Sequence, residues 1–328
     1  MEIEIVKNDN TAVPVTILTG FLGAGKTTLL NRILNGAHGL RVAVLVNDFG
    51  SINIDAKLIV DIKDDAISLA NGCVCCTIRD DLIETVESVI SRPEKPEYIL
   101  LEASGVADPS SIAMTFVNPQ FRDRIRLDSI ISIVDAEQAF EHPEYPYVEE
   151  LKMRQIGFSD MVILNKVDLV DEEQLQKVHD WINGRLRRMR IVETSQCNVP
   201  LEILLGVGRF DARQLDESDD VHHHQHDHGH TFSTWSYVTD QPLSLDALKE
   251  MIRRRLPGNV YRCKGVIYAA DTPDRQAILQ VVGRRTEIIS GEAWGDVQPQ
   301  TQIVAIAAAG SIDAEALTAQ FEACISGS

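Results

Sequence analysis

From Val15 to about Leu205, short apolar runs alternate with amphipathic stretches, the signature of βα units wound around a mainly parallel sheet. The pattern predicts strands over 15–19, 42–46, 98–101, 130–134, 161–164 and 191–193, and helices over 26–35, 78–90 and 172–186. In the first helix Leu29, Leu30, Ile33 and Leu34 share one face, and Asn35–Gly36 supplies a stop. In the second, Ile78, Leu82, Val86, Val89 and Ile90 keep the helical period. Beyond Gly208 the pattern lapses. Residues 211–230 are acids and histidines with almost nothing apolar, so they cannot bury a core and read as a linker. Periodicity resumes near Thr231 as a strand, a helix carrying Leu245, Leu248, Ile252 and Leu256, several strands, and a last helix from Asp313. The expected organisation is an α/β domain over 1–206, an acidic, His-rich linker over 207–230, and a small α+β domain over 231–328.

Charge narrows the partners. Acidic residues number 49 against 31 basic ones, a net charge of −18 that repels phosphate backbones, and 5% aromatic content leaves few stacking platforms for bases. Nucleic acid is therefore not expected as a partner. Apolar stretches such as 303–309 are far too short to span a membrane, and the opening MEIEIVKNDN lacks a basic segment followed by an apolar one. The expected location is cytoplasmic, with no membrane partner.

One stretch carries explicit chemistry. Gly20-Phe21-Leu22-Gly23-Ala24-Gly25-Lys26-Thr27 fits G-x-x-x-x-G-K-[ST] between a predicted strand and a predicted helix. Such a loop points backbone N–H groups at phosphate oxygens, which requires small residues at its turns. Gly20, Gly23, Ala24, Gly25, Lys26, Thr27 and Thr28 are the candidate phosphate ligands, with Lys26 reaching the β- and γ-phosphates and the Thr27 hydroxyl on Mg²⁺. The fold class expected is therefore a P-loop NTPase G domain with a mainly parallel sheet, plus the small C-terminal α+β domain. The apolar run 99–101 delivers Glu102 as a second acidic group for the magnesium or its waters, and Gly105 lets the backbone approach a γ-phosphate. Asp48, at the end of the 42–46 strand, is a further magnesium candidate. Asn165-Lys166-Val167-Asp168 follows another apolar run. A carboxylate there can accept from both guanine N1–H and the exocyclic amine, donors that adenine lacks, so GTP is expected over ATP. Neither a glutamine nor an arginine is evidently placed to orient water, so hydrolysis should be slow without metal or a partner.

Three of the six cysteines occupy four positions: Cys73, Cys75 and Cys76 in GCVCCT, just before the predicted helix at 78. A helix N-terminus lowers thiol pKa, and thiolates bind borderline metals. Three thiolates leave one place of a four-ligand zinc shell open, which suits a metal that is received and released. Zn²⁺ is the expected ion, with Co²⁺ or Ni²⁺ as alternatives. Cys197, Cys263 and Cys324 are isolated and read as structural. Six of the nine histidines, His222, His223, His224, His226, His228 and His230, form a tether of neutral imidazoles able to gather the same metals.

The order GFLGAGKTT, NDFG, GCVCC, EASG, NKVD, His-rich linker and small C-terminal domain resembles the CobW-type metallochaperone GTPases, a family of zinc chaperones, a cobalt-handling protein and nitrile hydratase activators. Tyr261-Arg262-Cys263-Lys264-Gly265 and Trp294-Gly295-Asp296 resemble the R-x-K-G and W-G-D elements of that family's C-terminal domain. The resemblance implies a GTPase in which Lys26, Thr27 and Glu102 serve catalysis, Asn165, Lys166 and Asp168 read guanine, and hydrolysis releases metal from Cys73–Cys76 to a client metalloprotein. A homodimer is compatible with it. Where many members carry glutamates flanking the asparagine-phenylalanine-glycine segment, this chain has Val46 and Ser51. The competing readings are a metal buffer or sensor with a GTP-dependent state, an activator inserting cobalt or iron into a nitrile hydratase, and a P-loop ATPase or small-molecule kinase.

Overall fold

The computed structural model describes residues 12–36, 39–46, 66–68, 77–116, 124–141, 145–186, 189–205, 232–295 and 297–327. The chain divides into two compact units, the first being Thr11–Leu205.

The first unit is a seven-stranded parallel sheet with the order β3-β2-β4-β1-β5-β6-β7. Its strands are β1 Val13–Thr19, β2 Val42–Val46, β3 Ala66–Ser68, β4 Tyr98–Glu102, β5 Ile125–Asp135, β6 Met161–Asn165 and β7 Ile191–Thr194. They alternate with α1 Lys26–Asn35, α2 Thr77–Ile90, α3 Pro109–Phe116, α4 Pro146–Gly157, α5 Glu172–Arg185 and the single turn α6 Leu201–Leu204. Strands buried on both faces need continuous apolar runs, and β4 and β6 are buried at every position. One core packs Val15, Ile17, Leu45, Leu101, Leu82 and Val86 around β1, β2, β4 and α2. A second gathers Val134, Ile156, Val162, Leu164, Val178 and Ile182 around β5, β6, α4 and α5.

The order reverses at β1, which lies between β4 and β5. Ligands of open α/β sheets bind beyond the carboxyl ends of the strands at such a switch point. The phosphate loop leaves β1 at that place, with the ends of β4, β5 and β6 beside it.

Three differences from the sequence pattern have physical causes. β5 begins at Ile125, well before 130. Asp128 interrupts its apolar run, yet its carboxylate is only 3% exposed and accepts from the Tyr98 hydroxyl at 2.6 Å. Helix α3 is eight residues long, too short for its period to be legible. Helix α4 is hidden differently: its buried residues are Val148, Lys152, Gln155 and Ile156, at helical spacing but half of them polar.

The second unit is an antiparallel five-stranded sheet, ordered β11-β10-β9-β12-β8. Its strands are β8 Phe232–Thr239, β9 Val260–Tyr268, β10 Arg275–Val282, β11 Arg285–Ala293 and β12 Thr301–Ala308, with helices α7 Leu245–Arg254 and α8 Ala314–Glu322. β12 alternates buried and half-buried positions along its whole length, as a sheet covered on one face requires. The covered face packs Cys263, Ile267, Leu279, Ile303 and Ala305 against Leu248, Ile252, Leu317 and Phe321 of the two helices. Ser244 and Asp313 cap those helices through their side-chain oxygens.

Candidate nucleotide site

The conformation of the phosphate loop depends on its glycines. Gly20, Gly23 and Gly25 have φ of +136°, +75° and +112°, where a side chain is strained. Space forbids substitution at two of them as well: a Cβ would lie 2.2 Å from the Ile133 carbonyl oxygen at Gly20 and 2.6 Å from Asn165 Nδ2 at Gly25. Helix α1 then starts with no side-chain cap on its first amides. With no side-chain cap in the way, the N-terminus of α1 and the positive end of its dipole can face an anion.

Lys26, the first residue of α1, is 8% exposed. Its ammonium donates to the Gly20 and Phe21 carbonyl oxygens at 2.9 and 3.1 Å, so the charge sits inside the curl of the loop. Beside it the Thr27 hydroxyl donates to Glu102 Oε1 at 3.1 Å. That contact joins the start of α1 to the end of β4, and Glu102 is only 3% exposed. These groups border a cleft of about 300 Å³ lined by Leu22, Gly23, Gly25, Lys26, Thr27, Thr28, Val46 and Glu102 to Gly105. A hydroxyl and a carboxylate side by side on its wall are the hard oxygen donors that Mg²⁺ takes, so the residues present fit that ion.

At the end of β6, Asn165 is 2% exposed and both ends of its amide are engaged. Nδ2 donates to the Ala24 carbonyl at 2.9 Å, and Oδ1 accepts the Cys197 N–H at 2.8 Å. Asn165 therefore fastens the phosphate loop to the loop that follows β7. Lys166 takes a left-handed backbone with φ 62° and extends its ammonium to Asp135 Oδ2 at 2.6 Å. Asp168 stands exposed on a single 3₁₀ turn over Val167–Leu169.

Asp135, Arg32 and Lys152 were missed by the sequence reading, and Cys197 was read as structural without its place beside the phosphate loop. Asp135 ends β5 as Glu102 ends β4; it binds Lys166 through one oxygen and caps the Glu137 and Gln138 amides through the other. An acid at the end of an apolar run was the available signal. Cys197, fully buried, lies behind Gly25 with its thiol 3.4 Å from that residue's carbonyl oxygen, and burial pushes the thiol pKa up to about 11. Both Gln196 and Cys197 have positive φ, 52° and 55°. Arg32 steadies this turn through the Gln196 carbonyl at 2.7 Å and Asn198 Oδ1 at 3.1 Å. Lys152 of α4 donates to the carbonyls of Gln138 and Ala139 at 2.8 and 3.2 Å and lies 5.0 Å from the centre of the Phe21 ring. Burial draws its pKa down, opposed by Glu141 and Asp135.

Gly20, Gly23, Ala24, Gly25, Lys26, Thr27, Thr28, Glu102, Gly105, Asn165, Lys166 and Asp168 are thus all described, and most of them converge at the carboxyl ends of β1, β4 and β6. Asp48, Cys73, Cys75, Cys76 and the six histidines at 222, 223, 224, 226, 228 and 230 lie outside the described residues. Among the described residues no cluster of three or more His, Cys, Asp or Glu could hold a metal. Cys197, Cys263 and Cys324 are buried free thiols, as a structural role requires.

Residues 14–193 match the CobW/HypB/UreG nucleotide-binding domain, and residues 232–325 match the cobalamin synthesis protein cobW C-terminal domain. A zinc chaperone CobW of Sinorhizobium is 31% identical over 86% of this chain and 89% of its own length. A zinc chaperone CobW of Pseudomonas aeruginosa is 32% identical over 90% and 87%. The zinc-regulated GTPase metalloprotein activator 1 of Dictyostelium discoideum is 30% identical over 88% of this chain and 70% of its own. With the phosphate loop, the β4 acid and both matched regions in place, the chain belongs to the CobW/HypB/UreG family of nucleotide-binding proteins.

Proposed function

We propose that the protein is a GTP-hydrolysing metallochaperone that carries Zn²⁺ and hands it to a client metalloprotein. The observation that carries the reading is the placement of Lys26, Thr27 and Glu102 around one cleft at the switch point of the sheet. In the reaction water attacks the γ-phosphorus and the bond to the β,γ-bridging oxygen breaks, giving GDP and phosphate. The loop amides bind the phosphates, and Lys26 turns from the Gly20 and Phe21 carbonyls to the β- and γ-oxygens. Thr27 and Glu102 would hold Mg²⁺, which supplies neutralising charge on those oxygens. Asn165 Nδ2 gives one hydrogen to the Ala24 carbonyl and has a second to offer the base, while the exposed Asp168 carboxylate can take both guanine donors. The Lys166 stem, fixed by Asp135, lies two residues before Asp168 in sequence.

For the metal, Cys73, Cys75 and Cys76 are the chain's three clustered thiols, immediately before α2, and the relatives named as zinc chaperones support zinc as cargo. The histidines between 222 and 230 would serve as an auxiliary reservoir. A cytoplasmic site of action suits both a GTP supply and reduced thiols; no described helix is long and apolar enough to cross a membrane.

The deciding experiment measures zinc affinity by competition with a chromogenic chelator, first with GDP bound and then with a non-hydrolysable GTP analogue. Delivery driven by the nucleotide requires a difference of about tenfold or more, because a ligand moves an equilibrium only by its differential affinity. Equal affinities would refute coupled delivery. Tighter binding of ATP than GTP would refute the assignment of the base.

A further inference from the structure

Gln155 stands on α4 with 1% of its surface exposed. Its amide nitrogen donates to two carbonyl oxygens, those of Gly105 and Ala107, each at 3.1 Å and 50 and 48 residues away in the chain. Both belong to the turn that follows Glu102, which is closed by the Ala107 N–H donating to the Ser104 carbonyl at 2.9 Å. The turn also borders the cleft: Ala103, Ser104 and Gly105 line it together with Lys26 and Thr27. It presses on the phosphate loop so closely that a Cβ on Gly105 would lie 2.6 Å from Leu22 Cδ2 and 2.9 Å from the Leu22 nitrogen.

A trans peptide points its N–H away from its C=O. By holding the Gly105 and Ala107 carbonyls, Gln155 therefore also sets the directions of the Val106 and Asp108 N–H groups. The turn is gripped between one buried amide and the phosphate loop. Packing alone does not call for a glutamine here, since a leucine or methionine would fill similar space without burying a polar group. Oε1 of Gln155 is itself buried with no hydrogen-bond partner among the described residues. The two donated bonds are what an apolar residue could not supply.

We propose that Gln155 is a positioning residue for recognition of the third phosphate: it holds the 104–107 turn at the cleft wall so that a nucleoside triphosphate, and not a diphosphate, meets ordered backbone there. The inference rests on the reading of the cleft as a GTP site. It gives Gln155 no contact with the α- and β-phosphates or with the base, so its loss changes the discrimination between triphosphate and diphosphate.

The test uses full-length Gln155→Leu and Gln155→Glu with a fluorescent GDP and a fluorescent non-hydrolysable GTP analogue, together with steady-state kcat and KM and melting of the GDP complex. In Gln155→Leu the analogue binds about tenfold more weakly, as the loss of two neutral hydrogen bonds predicts, and GDP stays within about twofold. Gln155→Glu, of the same shape, turns carboxylate oxygens towards the two carbonyls and loses at least as much. Lowering the pH protonates it, restores one donor and recovers part of the GTP preference relative to wild type at the same pH. A packing role would give no such recovery, and if the leucine variant fails to fold the glutamate variant carries the test. Equal weakening of both nucleotides, or no change in either, overturns the role of Gln155. Failure of the wild type to bind GTP would instead overturn the reading of the cleft.

Discussion

Replacing Asn165 by alanine should damage the nucleotide site through the protein's own bracing, before any contact with the base is counted. The side chain is 2% exposed, so water cannot readily replace what it does. Its Oδ1 accepts the Cys197 N–H at 2.8 Å, and its Nδ2 donates to the Ala24 carbonyl at 2.9 Å. The stranded Cys197 N–H costs about 1–3 kcal/mol as a buried unsatisfied donor, and the Ala24 bond adds about 0.5–1.5 kcal/mol. The sum is about 1.5–4.5 kcal/mol. For a unit of this size each kcal/mol lowers Tm by about 2–4 °C, so differential scanning calorimetry should record a fall of about 3–18 °C. GDP affinity should drop as well, because Gly25 and the turn at Gln196–Cys197, with their positive φ values, lose a shared brace. Asn165→Asp separates hydrogen bonding from volume: it keeps the acceptor for Cys197 but sets a carboxylate oxygen against the Ala24 carbonyl. It should also destabilise the protein, where a volume effect would leave it neutral. A Tm within about 1 °C of wild type for both variants would refute the brace.

Thr27→Val, nearly isosteric, removes the hydroxyl that meets Glu102 at 3.1 Å; GTP turnover should fall at least about 100-fold and respond weakly to added Mg²⁺ in a phosphate-release assay, and near-normal turnover would exclude Thr27 as a metal ligand. Asp168→Ala should weaken GTP and GDP together by about 100-fold, as two charge-assisted hydrogen bonds to the base predict, and leave the weak ATP affinity unchanged in titration calorimetry. The thiol of Cys197 sets a pH dependence: held to about 11 in the fold and near its ordinary value when unfolded, it keeps its proton longer in the folded state. Its contribution is whole below about pH 8.5 and is lost as the pH rises through 11. Urea unfolding should show stability declining over that window, with a shallower decline in Cys197→Ala; identical slopes would exclude the thiol as the cause.

The parallel sheet was readable because strands buried on both faces print as apolar runs: β2 at 42–46 and the main spans of β4 and β6 stand where the pattern set them. The phosphate loop was readable because its chemistry depends on adjacent residues. Helix α4 was not: its buried stripe of Val148, Lys152, Gln155 and Ile156 has the helical period, but Lys152 and Gln155 are polar since each serves backbone carbonyls of other segments. Asp135 and Cys197 escaped for a related reason. An acid closing an apolar run marked Asp135, but the roles of both appear only once β5 and the loop after β7 are brought beside Lys166 and Gly25. The sequence-based assignment of zinc to Cys73, Cys75 and Cys76 rests on chemistry alone, outside the described residues.

The position of β1 between β4 and β5 has a consequence for how the protein is made. The phosphate loop leaves the ribosome well before its supports, for the Asn165 amide that braces it lies 141 residues downstream. The thiol behind Gly25 lies 172 residues downstream. At about 5–20 residues per second, roughly 10–35 s of synthesis separate the loop from its last support. Contacts so distant in sequence also fold slowly, because the chain loses the entropy of closing long loops before they form. Until then the nascent chain holds a glycine-rich ribbon with no reason to curl. Guanine nucleotide, which recognises only the finished arrangement, would favour it by mass action as soon as it forms. Ribosome-stalled chains cut before Cys197 should therefore bind no GDP, and those long enough to expose that residue outside the exit tunnel should bind it.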